Sequence, residues 1–579
     1  MTQQYDLVIR GGTVVDGTGG EPFVADVAVE RGKIVAMGRV SGAGREEIDA
    51  KGMIVTPGFV DGHTHYDGQI TWENTLAPSS DHGVTTVVMG NCGVGFAPVK
   101  STDHQLVIKL MEGVEDIPEI VMAEGVPWNW ETFPEYLDAI EKQHSDIDFA
   151  AQLPHSPLRV FVMGDRGAAL EPATDEDLNE MRRLTAEAIE AGALGVTTSR
   201  NLFHRFRNGK LAPSVNSPED ELLALAGGLK DAGAGVFQLN PNLDEDARDE
   251  MAVFRSIASA AGRPLNFSLI PTPFRTENWD YYVEGVQAAN DDGITINAQF
   301  LPRTMGVLFG LDLSYHPFSL NPSYRAIADL PLAEKVARMR DPEFRKQLIS
   351  EEPDDPNPAF VGIVKNASYL SVIGKDANYN IKGEDYIAER ATRQGIPVRE
   401  AIYDALLEDD GHAILGATAG PSLPHLERTQ PLFDMPNAVV ALGDGGAHYA
   451  MVCDAPYTTY LLTQRVGLGG LDLPKAIRSL TSKPAHSIGL GDRGIVAVGY
   501  KADLNVIDID RLKLHRPHIS RDLPADGKRL SQKSEGYVAT IVSGSVTYRN
   551  GEATGNLPGR LIRGAQRPDQ ALIDQKANA

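Results

Sequence analysis

Repeated strand–helix units, polar clusters where those strands end, and a β-rich stretch at either end of the chain together predict an α/β fold. The predicted form is a (β/α)8 TIM-type barrel with a small β-sandwich domain formed by both chain ends. At 579 residues the chain exceeds one ordinary core, which suits a large catalytic-scale region plus a smaller one. With 42 % apolar and 23 % charged residues, it is neither disordered nor fibrous. A formal charge of −25 argues against non-specific binding to nucleic acid or anionic membrane, both of which are negative themselves. The only cysteines, Cys92 and Cys453, exclude a disulfide framework. The start, Met1–Arg10, lacks the regions of a signal peptide, and no apolar run reaches the ~18 residues that span a bilayer. A soluble, cytoplasmic enzyme is expected, and on general grounds a homo-oligomer.

The elements follow in order. Tyr5–Ile9, Thr13–Val15, Val24–Val29 and Ile34–Met37 read as short strands, the last two joined as a hairpin around Arg31-Gly32. The apolar stretch Met53–Val60 runs into Asp61-Gly62-His63-Thr64-His65, and Thr85–Met89 into Gly90-Asn91-Cys92-Gly93. Strands and helices then alternate: helix Asp175–Ala191 with a capping-box spacing at Thr174 and Asp177, strand Ala193–Thr198, a helix opened at Ser217-Pro218, and strand Val236–Leu239. Helix Glu245–Ala261, strand Pro264–Ile270, helix Tyr281–Asn290 and strand Ile294–Leu301 continue the pattern. Arg303–Pro436 breaks the period and reads as a large loop-side insertion with some helices. Strand Ala438–Leu442 restores it and leads into Gly443-Asp444-Gly445-Gly446, before helices near Tyr457–Arg465 and Leu473–Ile488. Ile495–Val498, Ala502–Ile509, Gly536–Val542 and Ser545–Arg549 again read as strands. The expected domains are therefore residues 1–55 and 491–555 for the two parts of the β-sandwich, 56–490 for the barrel with its insertion at 303–436, and 556–579 for an extended or frayed tail.

The polar clusters fall at strand ends, where barrel active sites lie. His63 and His65, two apart on a strand end, share a face and suit one divalent ion, most often zinc. Asp444 can ligate an ion or accept a proton from water, and Cys92 can supply a thiolate. Plainer readings stand beside these: a hydrogen-bonded histidine pair, a turn aspartate, an inert cysteine. Arg200, with His204-Arg205 beyond it, and Arg303 are candidate anchors for a substrate carboxylate, or surface cations. His448 is a candidate to ligate or to donate a proton, His155 is a further strand-end candidate, and Cys453 reads as structural.

Gly62-His63-Thr64-His65 after Val55–Asp61, with the late Asp444, resembles the amidohydrolase superfamily of metal-dependent barrel hydrolases. Asp6–Gly19 and Gly499–Asp510 look like that superfamily's split β-sandwich. Within it, His65-Tyr66-Asp67, Asn91-Cys92-Gly93 and Gly192–Thr198 resemble the N-acyl-D-amino-acid deacylase (D-aminoacylase) group. The resemblance implies that a metal-activated water attacks an amide carbonyl, with His63, His65, Cys92 and Asp444 as ligands and Asp444 as general base. It also implies histidine ligands after two middle strands, where this sequence has Asn240 and Leu269, and a lysine where it has Pro271. The tight site of that group is therefore expected to be absent, leaving one zinc ion per chain on the remaining four residues. Thr198-Ser199-Arg200 with His204-Arg205 resembles a branch labelled N-acyl-D-aspartate or D-glutamate deacylase. The expected function is hydrolysis of a linear amide, an N-acyl amino acid, with a small-molecule substrate and neither nucleic acid nor membrane as partner. The alternatives are hydrolysis of a cyclic amide, ureide, carbamate or aromatic amide, and a metal-free scaffold.

Overall fold

Strands covered on both faces read as near-continuous apolar runs, and such runs follow one another here in parallel. The computed structural model describes residues 4–272, 275–304, 306–365, 369–418 and 422–577. Its parallel strands are β1 (Phe59–Asp61), β2 (Val84–Met89), β3 (Asp148–Ala151, resumed at Leu153–Pro154), β4 (Gly195–Ser199), β5 (Val236–Asn240), β6 (Leu265–Ser268), β7 (Ile296–Phe300) and β8 (Ala438–Val440). Each pairs with the next in chain order. They form a three-stranded and a six-stranded arc that meet within β3. No ladder joins β8 to β1 among the described residues. Backbone bonds tie their carboxyl ends instead, from His65 N to Gly445 O (2.7 Å) and from Asp444 N to His63 O (3.2 Å).

Helices pack on the outer face: α1 (His104–Glu115), α2 (Asp175–Glu190), α3 (Glu219–Ala232), α4 (Ala247–Ala261) and α5 (Asn278–Asp291). Thr174 and Asp177 form the capping box of α2, and Asp246 caps α4. The apolar core between helices and strands includes Phe237, Phe254, Phe267 and Tyr282.

The two chain ends meet in one nine-stranded sheet, in which Ile54–Pro57 pairs antiparallel with Leu504–Ile507. Ile495–Val498 is a turn rather than a strand; Val496 and Val498 still enter the sheet's core. Leu473–Ile488 is two helices, broken at Thr481 (φ −128°, ψ −87°). Residues 559–566 are not frayed: Gly559 N bonds Ser145 O and Ile562 N bonds Phe149 O, and a helix, Gln570–Ala577, follows.

The segment after β7 has its own core around Phe318, Met339, Leu348 and Tyr403. A three-stranded antiparallel sheet of Gly306–Phe309, Leu370–Val372 and Leu415–Thr418 carries it. This sheet overhangs the carboxyl ends of the parallel strands. Among the described residues no helix is long and apolar enough to cross a membrane.

Candidate metal centre

At β1 the chain leaves the sheet through a loop fixed by its own strand end: Asp61 Oδ1 accepts from His63 N (3.0 Å), and Thr64 N donates to Val88 O (3.0 Å). His63 and His65 thereby point into the same space, both almost wholly buried. After β2, Gly90 (φ +83°) lets the backbone press against β3, where a Cβ would lie 2.2 Å from Gln152 O. The next turn holds Cys92 at φ +56°, its sulfur toward the two imidazoles. Asp444 and His448 also sit at positive φ, both +49°. Non-glycine residues in this region are uncommon, and three around one site mark a place where the backbone serves the side chains.

Cys92 Sγ lies 3.4 Å from His63 Nε2 and 3.6 Å from His65 Nε2. Asp444 Oδ1 lies 3.4 and 3.7 Å from the same two nitrogens. Ligands about 2.0–2.3 Å from a tetrahedral zinc ion stand roughly 3.3–3.7 Å from one another. The ligand atoms of His63, His65 and Cys92 all lie within 4.8 Å of one another, a set that fits one ion, and Asp444 stands beside the two imidazoles. His63 Nδ1 lies 3.0 Å from Gln238 Nε2 and 3.4 Å from Gln299 Oε1; in the tautomer whose Nδ1 proton goes to Gln299, Nε2 is left as a lone-pair donor.

Burial dominates the electrostatics. It pushes His63 down to about 4, drives His65 well below the ordinary histidine value, and raises Cys92 and Asp444 well above theirs. Nearby carboxylates add to the upward shift of Cys92, while Asn240, donating to its sulfur at 3.1 Å, opposes it. Without a cation, burial favours the protonated thiol and carboxyl. A divalent charge reverses that preference.

The site forms the floor of a cavity of about 540 Å³, whose walls are largely apolar: Phe203, Leu243 and Ile270 from the parallel region, Val307, Phe309 and Ile363 from the insertion. His204 and His448 line it as well. The arginines expected as anchors do not. Arg200 is held by Glu250 (2.8–3.1 Å), a carboxylate of α4, and Arg205 donates to the carbonyls of Leu202 (2.8 Å) and Gly209 (2.9 Å). Arg303 is buried against Asp454 and stacks 4.1 Å over Tyr379. No lysine or arginine lines the cavity among the described residues. His155 is likewise enclosed, bonded to Thr198 (2.8 Å) and paired with Glu221 (2.8 Å). Cys453 is buried outside the constellation.

The middle strands also need a correction of register. Leu269 belongs to the outer apolar core, and Ser268 is the residue of that pair that faces the cavity. Asn240 does face it, where it supports Cys92.

Glu115 was not among the expected residues. It ends α1, is wholly buried, and its Oε2 lies 3.6 Å from His65 Nε2 and 3.5 Å from His448 Nε2. Its signal was present: Glu115 falls four residues after Met111 and seven after Ile108, on the buried stripe of an amphipathic helix. A carboxylate on such a stripe requires a partner.

Known proteins are similar to this one over nearly the whole chain. Residues 46–548 match the amidohydrolase family. A D-aminoacylase of Alcaligenes xylosoxydans xylosoxydans is 36 % identical over 580 residues, covering 97 % of this chain and 98 % of that protein. The N-acyl-D-aspartate deacylase of the same organism is 32 % identical over 270 residues, covering 46 % of this chain and 49 % of its own. Among solved structures, a D-aminoacylase superposes with a TM-score of 0.64 at 21 % identity, covering 96 % of this chain and all of its own. An N-acyl-D-glutamate deacylase from Bordetella bronchiseptica, solved with zinc and a phosphonate inhibitor, gives 0.63 at 20 % identity, covering 97 % of this chain and 100 % of its own. At those identities the two structures speak to the fold alone.

Proposed function

The chain belongs to the amidohydrolase family, a group of hydrolases acting on carbon–nitrogen bonds other than peptide bonds, and from that premise we propose that it cleaves the linear amide of an N-acyl amino acid. The observation that carries this reading is the spacing of His63, His65, Cys92 and Asp444 on the cavity floor. We read the two parallel arcs as one closed (β/α)8 barrel, whose carboxyl-end loops carry the site.

A divalent ion bound by these residues, most simply one zinc per chain, would polarise the substrate carbonyl and lower the pKa of the attacking water. His63 and His65 hold their lone pairs toward that position. Cys92 is kept in place by Asn240. Asp444 takes the proton of the attacking water on a carboxylate oxygen and delivers it to the leaving nitrogen, so that the departing amine is neutral. The apolar walls exclude bulk water and receive an acyl chain.

The test is an amide panel with the zinc-loaded protein, N-acyl-D- against N-acyl-L-amino acids, together with Asp444→Asn. Loss of the general base is expected to lower kcat by about 10²–10⁴ with the fold intact. Unchanged turnover in Asp444→Asn would remove it from the proton-transfer role.

One observation favours a second reading: the cavity wall has no lysine or arginine among the described residues to receive a substrate carboxylate. A neutral amide, cyclic or aromatic, meets that wall without an unpaired charge. Comparing kcat/KM for an N-acyl amino acid and its carboxamide or anilide separates the two. A preference for the neutral form sends the assignment to the second.

A further inference from the structure

Glu115 is among the least accommodated polar groups of the molecule. Its side chain is 0 % exposed, and neither carboxylate oxygen has a hydrogen-bond donor. The nearest polar atoms are two imidazole nitrogens, His65 Nε2 at 3.6 Å and His448 Nε2 at 3.5 Å. Both separations are too long for a hydrogen bond and match the edges measured between Cys92, the two histidines and Asp444.

The placement is fixed from both sides. The backbone N–H of His448 donates to the carbonyl of Glu115, and His448 itself is held at φ +49°, which sets its ring beside the carboxylate. Glu115 and His448 line the same cavity as His63, Cys92 and Asp444. An ionised carboxylate buried opposite lone-pair donors across 3.5 Å is unfavourable, and a cation bound between them removes the conflict.

We propose that Glu115, with His448 beside it, completes the ligand set for the divalent ion, on the side where the middle strands offer Asn240 and Ser268 rather than imidazoles. The helix carboxylate thus supplies a hard oxygen donor next to the softer thiolate and imidazole set, a mixture suited to zinc or cobalt. The proposal rests on the metal-hydrolase reading above.

The experiment titrates chelator-stripped protein with cobalt(II), following the thiolate-to-cobalt band in the near ultraviolet and the visible d–d bands, in the wild type, Glu115→Gln and His448→Asn. Losing Glu115 is expected to weaken cobalt binding at least about tenfold and to change the d–d bands, while the Cys92 band persists. The metal-free Glu115→Gln protein is expected to melt no lower than the wild type, because the carboxyl it replaces is buried without a hydrogen-bond partner. If that variant does not fold, His448→Asn reads the same pair from the other side. Wild-type affinity and spectrum in a folded variant overturn the proposal and leave the hydrolase reading standing. A wild-type chain that binds no cobalt, zinc or manganese overturns both.

Discussion

Two sets of polar side chains line the inner face of the parallel strands, and they behave in opposite ways. Beneath the site, amides from several strands and the loop after β2 bond one another. Gln238 Nε2 reaches Asn91 Oδ1 at 2.6 Å and Gln299 Oε1 at 3.1 Å, Gln152 Nε2 reaches Asn91 Oδ1 at 3.1 Å, and Asn297 Nδ2 reaches Asn266 Oδ1 at 2.8 Å. At the carboxyl ends, His65 Nδ1 and both oxygens of Glu115 have no hydrogen-bond partner. The first set bonds mainly among its own members, as a polar core must to hold one arrangement, although Gln152 Oε1 and Gln299 Nε2 stay unpartnered and Gln238 Nε2 reaches His63 Nδ1 at 3.0 Å. The second is open, and an open buried set is stable only with something added to it.

That contrast makes the largest predicted effect the loss of an open-set ligand. His63→Ala is expected to abolish tight metal binding and lower hydrolysis by at least about a thousandfold, since polarisation of the carbonyl contributes several kcal/mol. The metal-free fold should survive, because the deletion removes a group driven to its neutral form by burial. Metal content per chain, measured beside circular dichroism, checks both halves; a variant that keeps its zinc would show that His63 is not a ligand.

How much of this could be read in advance follows the same division. The strand ends were legible because apolar runs give way to Gly62, Gly90 and Gly443, and the chemistry stands directly after them. His63, His65, Cys92 and Asp444 converge for that reason. The arginines were misjudged because their partners lie far off in sequence: Glu250 on α4 takes Arg200, and Asp454 takes Arg303. Leu269 was one residue out of register, and in a strand one residue is the difference between the core and the cavity. The insertion's helices were expected but not placed, because most have nine residues or fewer and several begin at a proline, as at Pro322, Pro342 and Pro358. Helices that short show too few turns for a 3.6-residue period to emerge.

A pair of substitutions sharpens the boundary between the two sets. Asn240 touches the open set through the Cys92 sulfur, whereas Gln238 bonds chiefly within the amide layer and meets the open set at His63 Nδ1. Asn240→Ala is expected to weaken metal affinity about 10–100-fold, as loss of a supporting hydrogen bond does, with little change in stability. Gln238→Ala removes the shorter bond to Asn91 and a bond to Gln299, each of which keeps one other contact, and is expected to destabilise the fold by about 1–3 kcal/mol. Denaturant midpoints and zinc titration on both variants give the comparison. A reversed pattern would mean that the amide layer holds the metal site and Asn240 only fills space.

The smallest effect concerns a histidine of the closed kind. His82 is as buried as His63, but both its nitrogens are bonded, Nε2 to the carbonyl of Gln532 (2.8 Å) and Nδ1 to Thr459 Oγ1 (2.8 Å). Since a carbonyl only accepts, Nε2 carries the proton and Nδ1 accepts from the hydroxyl. Burial, aided by the charge of Arg303 and opposed by the Gln532 bond, lowers its pKa from 6.5 to about 4. Between those values the unfolded chain binds a proton that the folded one does not. Stability from this group is therefore complete above pH 6.5 and falls as the pH drops toward 4, by at most about 1.4 kcal/mol per unit. In metal-saturated protein, where the site histidines are held by the ion, His82→Asn is expected to flatten the pH dependence of the denaturant midpoint over that interval by about one proton. An unaltered slope would mean that His82 is charged in the fold, and that a satisfied histidine here differs from the open ones in geometry alone.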